Sequence, residues 1–591
     1  MRAGRVASDD RSMNGRSPRR GRVSLSGWLS DSELRLGLGC MRLSTDDGAD
    51  DGRAVATIAA AAASGITVFD TARAYGPNER VLAGALHGCG AAATARVMTK
   101  GGMARPAGAW VPDGRAKAIR ADCEASLEAL EGIPIDLYLL HAPDPRIPWR
   151  TSIRALDRLV EEGLVRRVGV SNVNRSQLDE ALTLAPIAAV QVAVSVFDDR
   201  ALRGGIVDRC AEAGVSVIAH SPLGGPRRAR SLGRRPGLVD IAEDHGATPA
   251  EVALAWVLGL GPHLVALPGA RRPETARSAA RAAAVVLGAE ERERLAPSRR
   301  RRTLPPARAG AEVVLVMGIP GAGKSRVALE YATRGHLRLN RDERGGTLRV
   351  LADELDEALA AGERRVVLDN TYATRASRSE VIEAAARHGA RVRCIWLDTP
   401  LAQAQVNMVA RLLDRLGSLP TPEELKAAAR EEPGLMPPTS QMRVLRELEP
   451  PADDEGFASI ERVPFSREPH TGRAGVFVAA STLRTEGWRD AIRSADPRAK
   501  HLVFDWLPDG SPADLRDAVE LLSSEIRGVV ERAVCPHGGG PPVCWCRPPL
   551  PGLPLAFSRA VGVDPARSTL VGTSTAHRTL ATTLGARFLG A

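Results

Sequence analysis

The octapeptide Gly318-Ile319-Pro320-Gly321-Ala322-Gly323-Lys324-Ser325 leaves the middle of this chain little structural freedom. An apolar run from Val313 to Met317 leads into it, and a helical run from Arg326 to Tyr331 leaves it. Strand, G-x-x-x-x-G-K-S loop and helix in that order build an anion cradle. Gly318, Gly321 and Gly323 let backbone N–H groups converge on one phosphate, and the helix N-terminus adds its partial positive charge. Lys324 is then expected to reach the β- and γ-phosphates of ATP, and the Ser325 hydroxyl to take a place on Mg²⁺.

Composition sharpens this reading. The chain carries 80 Lys and Arg in total but only five lysines: Lys100, Lys117, Lys324, Lys426 and Lys500. Arginine fills the generic basic roles, so a lysine marks a position that needs a compact, tunable ammonium. A length of 591 residues calls for three or four domains. With aromatics at 3%, the cores must lean on Ala, Val and Leu. A net charge of +10 permits an anionic partner. Eight cysteines spread over so long a chain do not form a disulfide framework. The basic start is followed by no apolar run, and no stretch of about 18 apolar residues occurs, so a cytoplasmic protein without a membrane partner is expected. Residues 1–30, rich in Arg, Ser, Gly and Asp without periodicity, read as a disordered basic tail.

Between residues 31 and 297 short apolar runs alternate with Ala-rich or amphipathic helical segments. The runs are Leu36–Cys40, Ile66–Asp70, Arg96–Thr99, Ile135–Leu140, Arg167–Val170, Ala188–Val192, Val215–Ala219 and Leu264–Leu267. Eight such units predict a (β/α)8 barrel, with an open doubly wound sheet as the alternative. Asp70, Lys100, His141, Ser171-Asn172, Gln191 and Ser221 each fall at or just past the end of a different run, where barrel active sites assemble. Tyr75, one of four tyrosines, lies five residues beyond Asp70. An ammonium at Lys100 beside Tyr75 favours the phenolate and lowers the phenol pKa. Asp70 keeps Lys100 charged, His141 orients a carbonyl oxygen, and Tyr75 protonates that oxygen.

The texts Phe69-Asp70-Thr71-Ala72-Arg73-Ala74-Tyr75-Gly76, Thr99-Lys100, Leu139-Leu140-His141, Gly169-Val170-Ser171-Asn172 and Ser221-Pro222-Leu223-Gly224 resemble the aldo/keto reductase family over about residues 34–297. The resemblance implies an NADPH-dependent reductase of a small carbonyl substrate, with Asp70, Tyr75, Lys100 and His141 as catalytic tetrad. It further implies that Ser171, Asn172 and Gln191 hold the nicotinamide amide, and that Ser221 and Leu223 border the cofactor. Leu267-Pro268-Gly269-Ala270-Arg271-Arg272-Pro273-Glu274 resembles the family's phosphate-binding end, which implies that Gly269 binds cofactor and that the two arginines, Arg271 and Arg272, suit a 2′-phosphate. Two positions depart from the pattern: Val194 stands where a ring that stacks on the nicotinamide is expected, and Ser278-Ala279 where a Glu-Asn pair would bind adenine.

Residues 298–310, four consecutive arginines and a proline pair included, read as a linker. A parallel α/β domain is expected at 311–467, with polar residues at strand ends: Asn340-Arg341-Asp342, then Asp369-Asn370-Thr371, then Asp398. Phosphoryl transfer needs a base for the acceptor hydroxyl, a metal-side carboxylate and a cationic lid. Asp342 is the candidate base, Asp369 the supporting carboxylate, and Arg411 or Arg415 the lid. With Leu368-Asp369-Asn370-Thr371 and Glu455-Gly456-Phe457…Val463-Pro464-Phe465, the segment resembles the kinase domain of polynucleotide kinase/phosphatase. That resemblance implies a P-loop NTPase fold and transfer to 5′-hydroxyl ends of DNA or RNA. Arg411 sits in a run less basic than the family's, so a small-molecule acceptor stays open.

In residues 468–591, Cys535-Pro536-His537 and Cys544-Trp545-Cys546 present two close pairs of soft ligands, the pattern of a structural Zn²⁺ site. Val476-Phe477-Val478, Cys546-Arg547-Pro548-Pro549-Leu550-Pro551-Gly552-Leu553 and Ser568-Thr569-Leu570-Val571-Gly572-Thr573-Ser574 resemble haloacid-dehalogenase-type phosphatases with a zinc loop, which implies a HAD-like Rossmannoid α/β domain. The two aspartates of that family's nucleophile region are absent from Val478-Ala479-Ala480-Ser481-Thr482-Leu483, and Thr573 replaces its metal-binding aspartate. A carboxylate-nucleophile mechanism has no residues to run on. The expectation is a bifunctional reductase and 5′-hydroxyl kinase with an inert third domain. A metabolic reductase fused to a small-molecule kinase, and a nucleotide-sensing scaffold without turnover, are the alternatives.

Overall fold

The computed structural model describes residues 28–296, 311–465 and 472–591, apart from 31, 47 and 433. The linker expected at 298–310 and residues 1–27 of the expected tail lie outside them.

Eight strands of the first domain pair in parallel in chain order: β1 (Gly37–Gly39), β2 (Val68–Asp70), β3 (Arg96–Gly101), β4 (Ile135–Leu140), β5 (Val168–Ser171), β6 (Ile187–Ala193), β7 (Ser216–His220) and β8 (Leu264–Leu267). A parallel bridge between Leu36 and Ala266 brings the first and last strands together, so the sheet is a nearly closed (β/α)8 barrel. Strand β4 is buried at all six positions because one face meets the barrel interior and the other the helices. The interior is filled by Val68, Met98, Leu137, Leu139, Ala189, Ile218 and Val265. Helices start where side chains satisfy their first N–H groups: Asn174 with Gln177, and Thr248 with Glu251, form reciprocal caps.

The tail expected to run to residue 30 ends earlier. Trp28 is 1% exposed and packs with Leu29 among the interior residues of the barrel. Its indole N–H donates to Asp136 Oδ2 at 2.5 Å, one residue into β4. A barrel interior open at its lower end exposes apolar side chains to water, and the indole covers them.

The second sheet is also parallel. Its strands β9 (Glu312–Met317), β10 (Leu337–Leu339), β11 (Arg365–Asp369), β12 (Arg391–Asp398) and β13 (Ser459–Pro464) lie in the order β10-β11-β9-β12-β13. The glycine-rich loop leaves the central strand. The third sheet contains β14 (Gly475–Ala479), β15 (Lys500–Trp506), β16 (Val530–Cys535), β17 (Thr569–Gly572) and β18 (Arg587–Gly590), ordered β16-β15-β14-β17-β18 and parallel throughout.

The domains meet at chemically different seams. Ion pairs join barrel and second domain, Arg203 to Glu383 at 3.1 Å and Arg175 to Asp454 at 3.0 Å. An apolar cluster joins second and third: Met408, Val409, Leu412 and Leu413 pack with Trp545 and Leu550. Among the described residues no helix is long and apolar enough to cross a membrane.

Candidate active sites

Four polar side chains meet at the C-terminal mouth of the barrel. Asp70 ends β2, Tyr75 ends the 3-10 turn Arg73–Tyr75 just beyond, Lys100 lies in β3, and His141 follows β4. The Lys100 ammonium is 1% exposed and donates to Asp70 Oδ1 at 2.5 Å, to the Thr71 carbonyl at 2.8 Å and to Tyr75 Oη at 3.5 Å. Burial works against its charge, but Asp70 and Tyr75 outweigh that and hold its pKa above the ordinary value. Tyr75 behaves differently from the sequence expectation. Burial pushes its phenol up, and the Lys100 ammonium opposes this without reversing it, so the phenol is neutral and proton-bearing at neutral pH. Burial, then the charge of Lys100, lowers His141 to about 3, so its imidazole is neutral too. His141 Nδ1 is buried with no hydrogen-bond partner. The rings of Tyr75, His141 and Trp110 stand within 6.0 Å of one another, centroid to centroid.

Trp110 escaped the sequence reading because it lies in an irregular excursion after β3 rather than at a strand end. The short hairpin of Met103–Ala104 and Val111–Pro112 places it. The signal available was its rarity: eight Trp occur in the whole chain.

The expected cofactor residues divide. Ser171 ends β5, and Asn172 follows with φ of 56°. Asn172 Nδ2 donates to the His141 carbonyl and to Ser171 Oγ, both at 3.1 Å. Ser221, at φ 52°, follows β7. Left-handed backbone at two non-glycine residues costs energy and clusters where a site imposes it. Ser221, Leu223 and Gly269 border a cavity of about 920 Å³ that also contains Asp70, Tyr75 and His141. Gln191 borders it too, but its amide nitrogen donates to Asp70 Oδ1 at 3.0 Å, which makes it a second clamp on that carboxylate. Arg271 pairs with Asp46 at 2.8 Å, and Arg272 is exposed at the cap of helix Pro273–Arg281, away from the cavity. Val194 is 0% exposed in the core. His220 is one of the rings at the cavity wall, with Tyr75, Trp110 and His141, and its Nε2 lies 3.3 Å from Asn172 Oδ1. Ser278 donates to Glu251 at 2.7 Å, an acid held by helix Pro249–Leu258.

In the second domain the glycine-rich loop ends in helix Lys324–Thr333. Gly321 has φ of 87°, and a Cβ there would lie 2.2 Å from the Ala404 carbonyl oxygen. Only glycine lets helix Leu401–Leu416 come so close, and Asn407 of that helix donates to the Gly321 carbonyl at 2.8 Å. Lys324 Nζ folds back on the carbonyls of Gly318 and Ile319 at 2.9 and 3.0 Å. Burial, then the nearby Arg411, lowers Lys324 to about 8, while Asp369 and Asp342 act against this. Arg411 Nη1 reaches the Gly434 carbonyl at 3.4 Å, and a Cβ on Gly434 would lie 3.2 Å from Arg411 and 3.6 Å from Asp342. Asp342 and Arg411 therefore converge beside Gly434, within electrostatic reach of Lys324. Arg415 is turned away onto Glu432 at 3.5 Å. Asp369 is buried and gripped by both arms of Arg338 at 2.8 Å, while its charge still acts on Lys324. Ser325 is the second residue of the helix.

Residues 35–298 match the profile of the Aldo/keto reductase family. A protein of Glycine max, "Probable aldo-keto reductase 1", is 32% identical over 268 residues, which are 40% of this chain and 76% of that protein. The chain belongs to the aldo/keto reductase family. A thermostable aldo-keto reductase crystallised with the inhibitor epalrestat is 32% identical, covering 44% of this chain and 93% of that one at a TM-score of 0.39. An aldo/keto reductase from Klebsiella pneumoniae, in complex with NADP and acetate, is 28% identical, covering 46% and 94% at a TM-score of 0.40. Residues 313–431, beyond the reductase barrel, match the profile of a AAA domain.

Beyond both lies the cysteine cluster. The ligand atoms of Cys535, His537, Cys544 and Cys546 all lie within 4.8 Å of one another. The Cys535 sulfur is 3.6 Å from that of Cys544 and 3.3 Å from that of Cys546, and His537 Nδ1 is 3.2 Å from the Cys546 sulfur. Four ligands on a tetrahedral zinc stand about 3.8 Å apart for bonds near 2.3 Å, so the donor set fits Zn²⁺. At the ends of β14 and β17, Ser481 Oγ lies 3.3 Å from Thr573 Oγ1.

Proposed function

We propose that this chain is a bifunctional enzyme, an NADP(H)-dependent carbonyl reductase and an ATP-dependent 5′-hydroxyl polynucleotide kinase. The observation that carries the first activity is a neutral Tyr75 phenol 3.5 Å from a buried Lys100 ammonium that Asp70 fixes. Tyr75 gives its proton to the substrate oxygen, and Lys100 stabilises the phenolate left behind. Neutral His141, whose ring borders the same cavity, orients that oxygen. Ser171, Asn172, Gly269 and Arg271 would hold NADPH, which supplies the hydride when bound. The Klebsiella pneumoniae relative, in complex with NADP, supports this choice. For Arg271 it requires exchanging Asp46 for phosphate.

In the kinase, Lys324 and Arg411 meet the transferring phosphoryl group, Ser325 would hold Mg²⁺, and Asp342 takes the proton of the acceptor hydroxyl. The net charge of +10 supports a polyanionic acceptor. Reduction of a terminal aldehyde on a nucleic acid produces the hydroxyl that this kinase phosphorylates, which links the two activities in end repair. The four-ligand cluster is read as structural zinc. The third domain is read as an inert phosphatase fold, since Ala479, Ser481 and Thr573 offer no carboxylate.

NADPH oxidation with small aldehydes should fall by about two to four orders of magnitude in Tyr75→Phe. Label from γ-labelled ATP should appear on 5′-hydroxyl oligonucleotides and vanish in Lys324→Ala. Label on small hydroxyl compounds alone would favour a metabolic acceptor, a reading favoured by Arg415 being tied to Glu432 so that Arg411 alone serves the lid.

A further inference from the structure

The reductase cavity is not made by the barrel alone. Thr374, Ala376, Arg446, Glu447 and Glu449 of the P-loop domain form part of its wall. Thr374 comes three residues after Thr371, whose carbonyl accepts from Gly318 N of the phosphate loop at 3.4 Å. Three residues span at most about 11 Å, so this wall stands close behind the phosphate loop. Arg446 belongs to helix Pro438–Glu447, in which buried Gln441 donates to the Pro320 carbonyl at 2.8 Å. The seam holds together through Glu449, which accepts the backbone N–H of Arg175 at 3.3 Å and of Arg375 at 2.7 Å.

This wall carries one cation, Arg446, and two acids, Glu447 and Glu449, so what matters is which charges on the cavity are already engaged. Arg42, Arg175 and Arg200 also border the cavity, but each is engaged: Arg42 with Asp46, Arg175 with Asp454, Arg200 with Asp198. Glu447 acts on Arg200, and burial raises Glu449. Among the described residues Arg446 has no acidic partner. A guanidinium held at a cavity wall with five donors unspent is built to take a carboxylate or phosphate.

We propose that Arg446, supplied by the P-loop domain, is the specificity residue of the reductase and selects carbonyl substrates that carry an anionic group. This rests on the reductase reading of the barrel. The test uses the full chain with NADPH and three probes: benzaldehyde, 4-carboxybenzaldehyde and 4-formylphenyl phosphate. In the wild type kcat/KM is expected to be higher for at least one anionic aldehyde than for benzaldehyde. In Arg446→Ala that ratio is expected to fall about tenfold or more, the worth of one charge-assisted contact, with the change in KM. Arg446→Lys, which keeps the charge, should retain most of it, and the probe that loses more identifies the anion as carboxylate or phosphate. Equal kcat/KM for all three probes in the wild type, or an equal loss for all three in Arg446→Ala, overturns the assignment of Arg446. No NADPH oxidation with any probe overturns the reductase reading itself, and this one with it.

Discussion

Burial sets the protonation state of both groups that would touch a carbonyl oxygen. Tyr75 keeps its proton and His141 stays a neutral imidazole with a single N–H, so donor and orienting group are ready at neutral pH without titrating. Lys100→Met removes the ammonium that accepts the charge left on Tyr75, and should lower kcat for aldehyde reduction by about two to four orders of magnitude, read in steady-state kinetics, while NADPH binding persists. His141 also makes a stability prediction. Its folded pKa of about 3 lies below the unfolded value of 6.5, so the unfolded chain binds the proton that the folded barrel refuses. Stability therefore falls as pH drops below 6.5, with a slope approaching about 1.4 kcal/mol per pH unit from this group. Urea midpoints of the barrel at pH 7 and pH 5 should differ, and His141→Asn should shrink that difference. Glu33, lowered to about 2 chiefly by its hydrogen bond with Arg96, contributes stability that is lost only below 4.5, outside that window.

Elements are held by contacts that tolerate no added atom or lost charge. In Gly321→Ala the new methyl meets the Ala404 carbonyl, so helix Leu401–Leu416 must move off the phosphate loop and carry Arg411 with it. Affinity for a fluorescent ATP analogue should fall markedly while aldehyde reduction stays near wild type. Arg378 is fully buried and gives both arms to Glu455, and further bonds to the carbonyls of Tyr372 and Glu449. Arg378→Met removes the buried counter-charge of Glu455, which keeps the Ala452 N–H at 3.0 Å, and should cost about 3–5 kcal/mol, visible as a lower urea midpoint of the P-loop domain. Much of this was legible in the sequence because period and punctuation are local. Each of the eight apolar runs lies on a barrel strand, and G-x-x-x-x-G-K-S sits between strand and helix. What was not legible depends on tertiary neighbours. The partner of Asp369 is Arg338, 31 residues away and across a strand pair. Val194 is buried in the core, and the rings on the cavity wall, Tyr75, Trp110, His141 and His220, come from several strand ends and loops. The phenol of Tyr75 was expected to titrate low, since the sequence displays Lys100 but not the depth of burial.

At the scale of the whole molecule, the third domain steadies the second. The Trp545 indole donates to the Met436 carbonyl at 2.9 Å and packs on Leu412 and Leu413, one and two residues beyond Arg411. Trp545 itself lies between two of the four clustered ligands. Chelation with EDTA, or Cys544→Ser, should release zinc measurable by atomic absorption and weaken phosphoryl transfer more than aldehyde reduction. The seam on the other side has a different consequence. Helix Pro438–Glu447 touches the phosphate loop through Gln441 and the reductase cavity through Arg446, so it is a shared boundary of two binding equilibria. Thermodynamic linkage is then symmetric: whatever factor a nucleotide imposes on the affinity for a carbonyl ligand, that ligand imposes on the affinity for the nucleotide. Paired calorimetric titrations, each ligand in the presence and absence of the other, should return equal factors, and the factor should move towards one in Gln441→Ala.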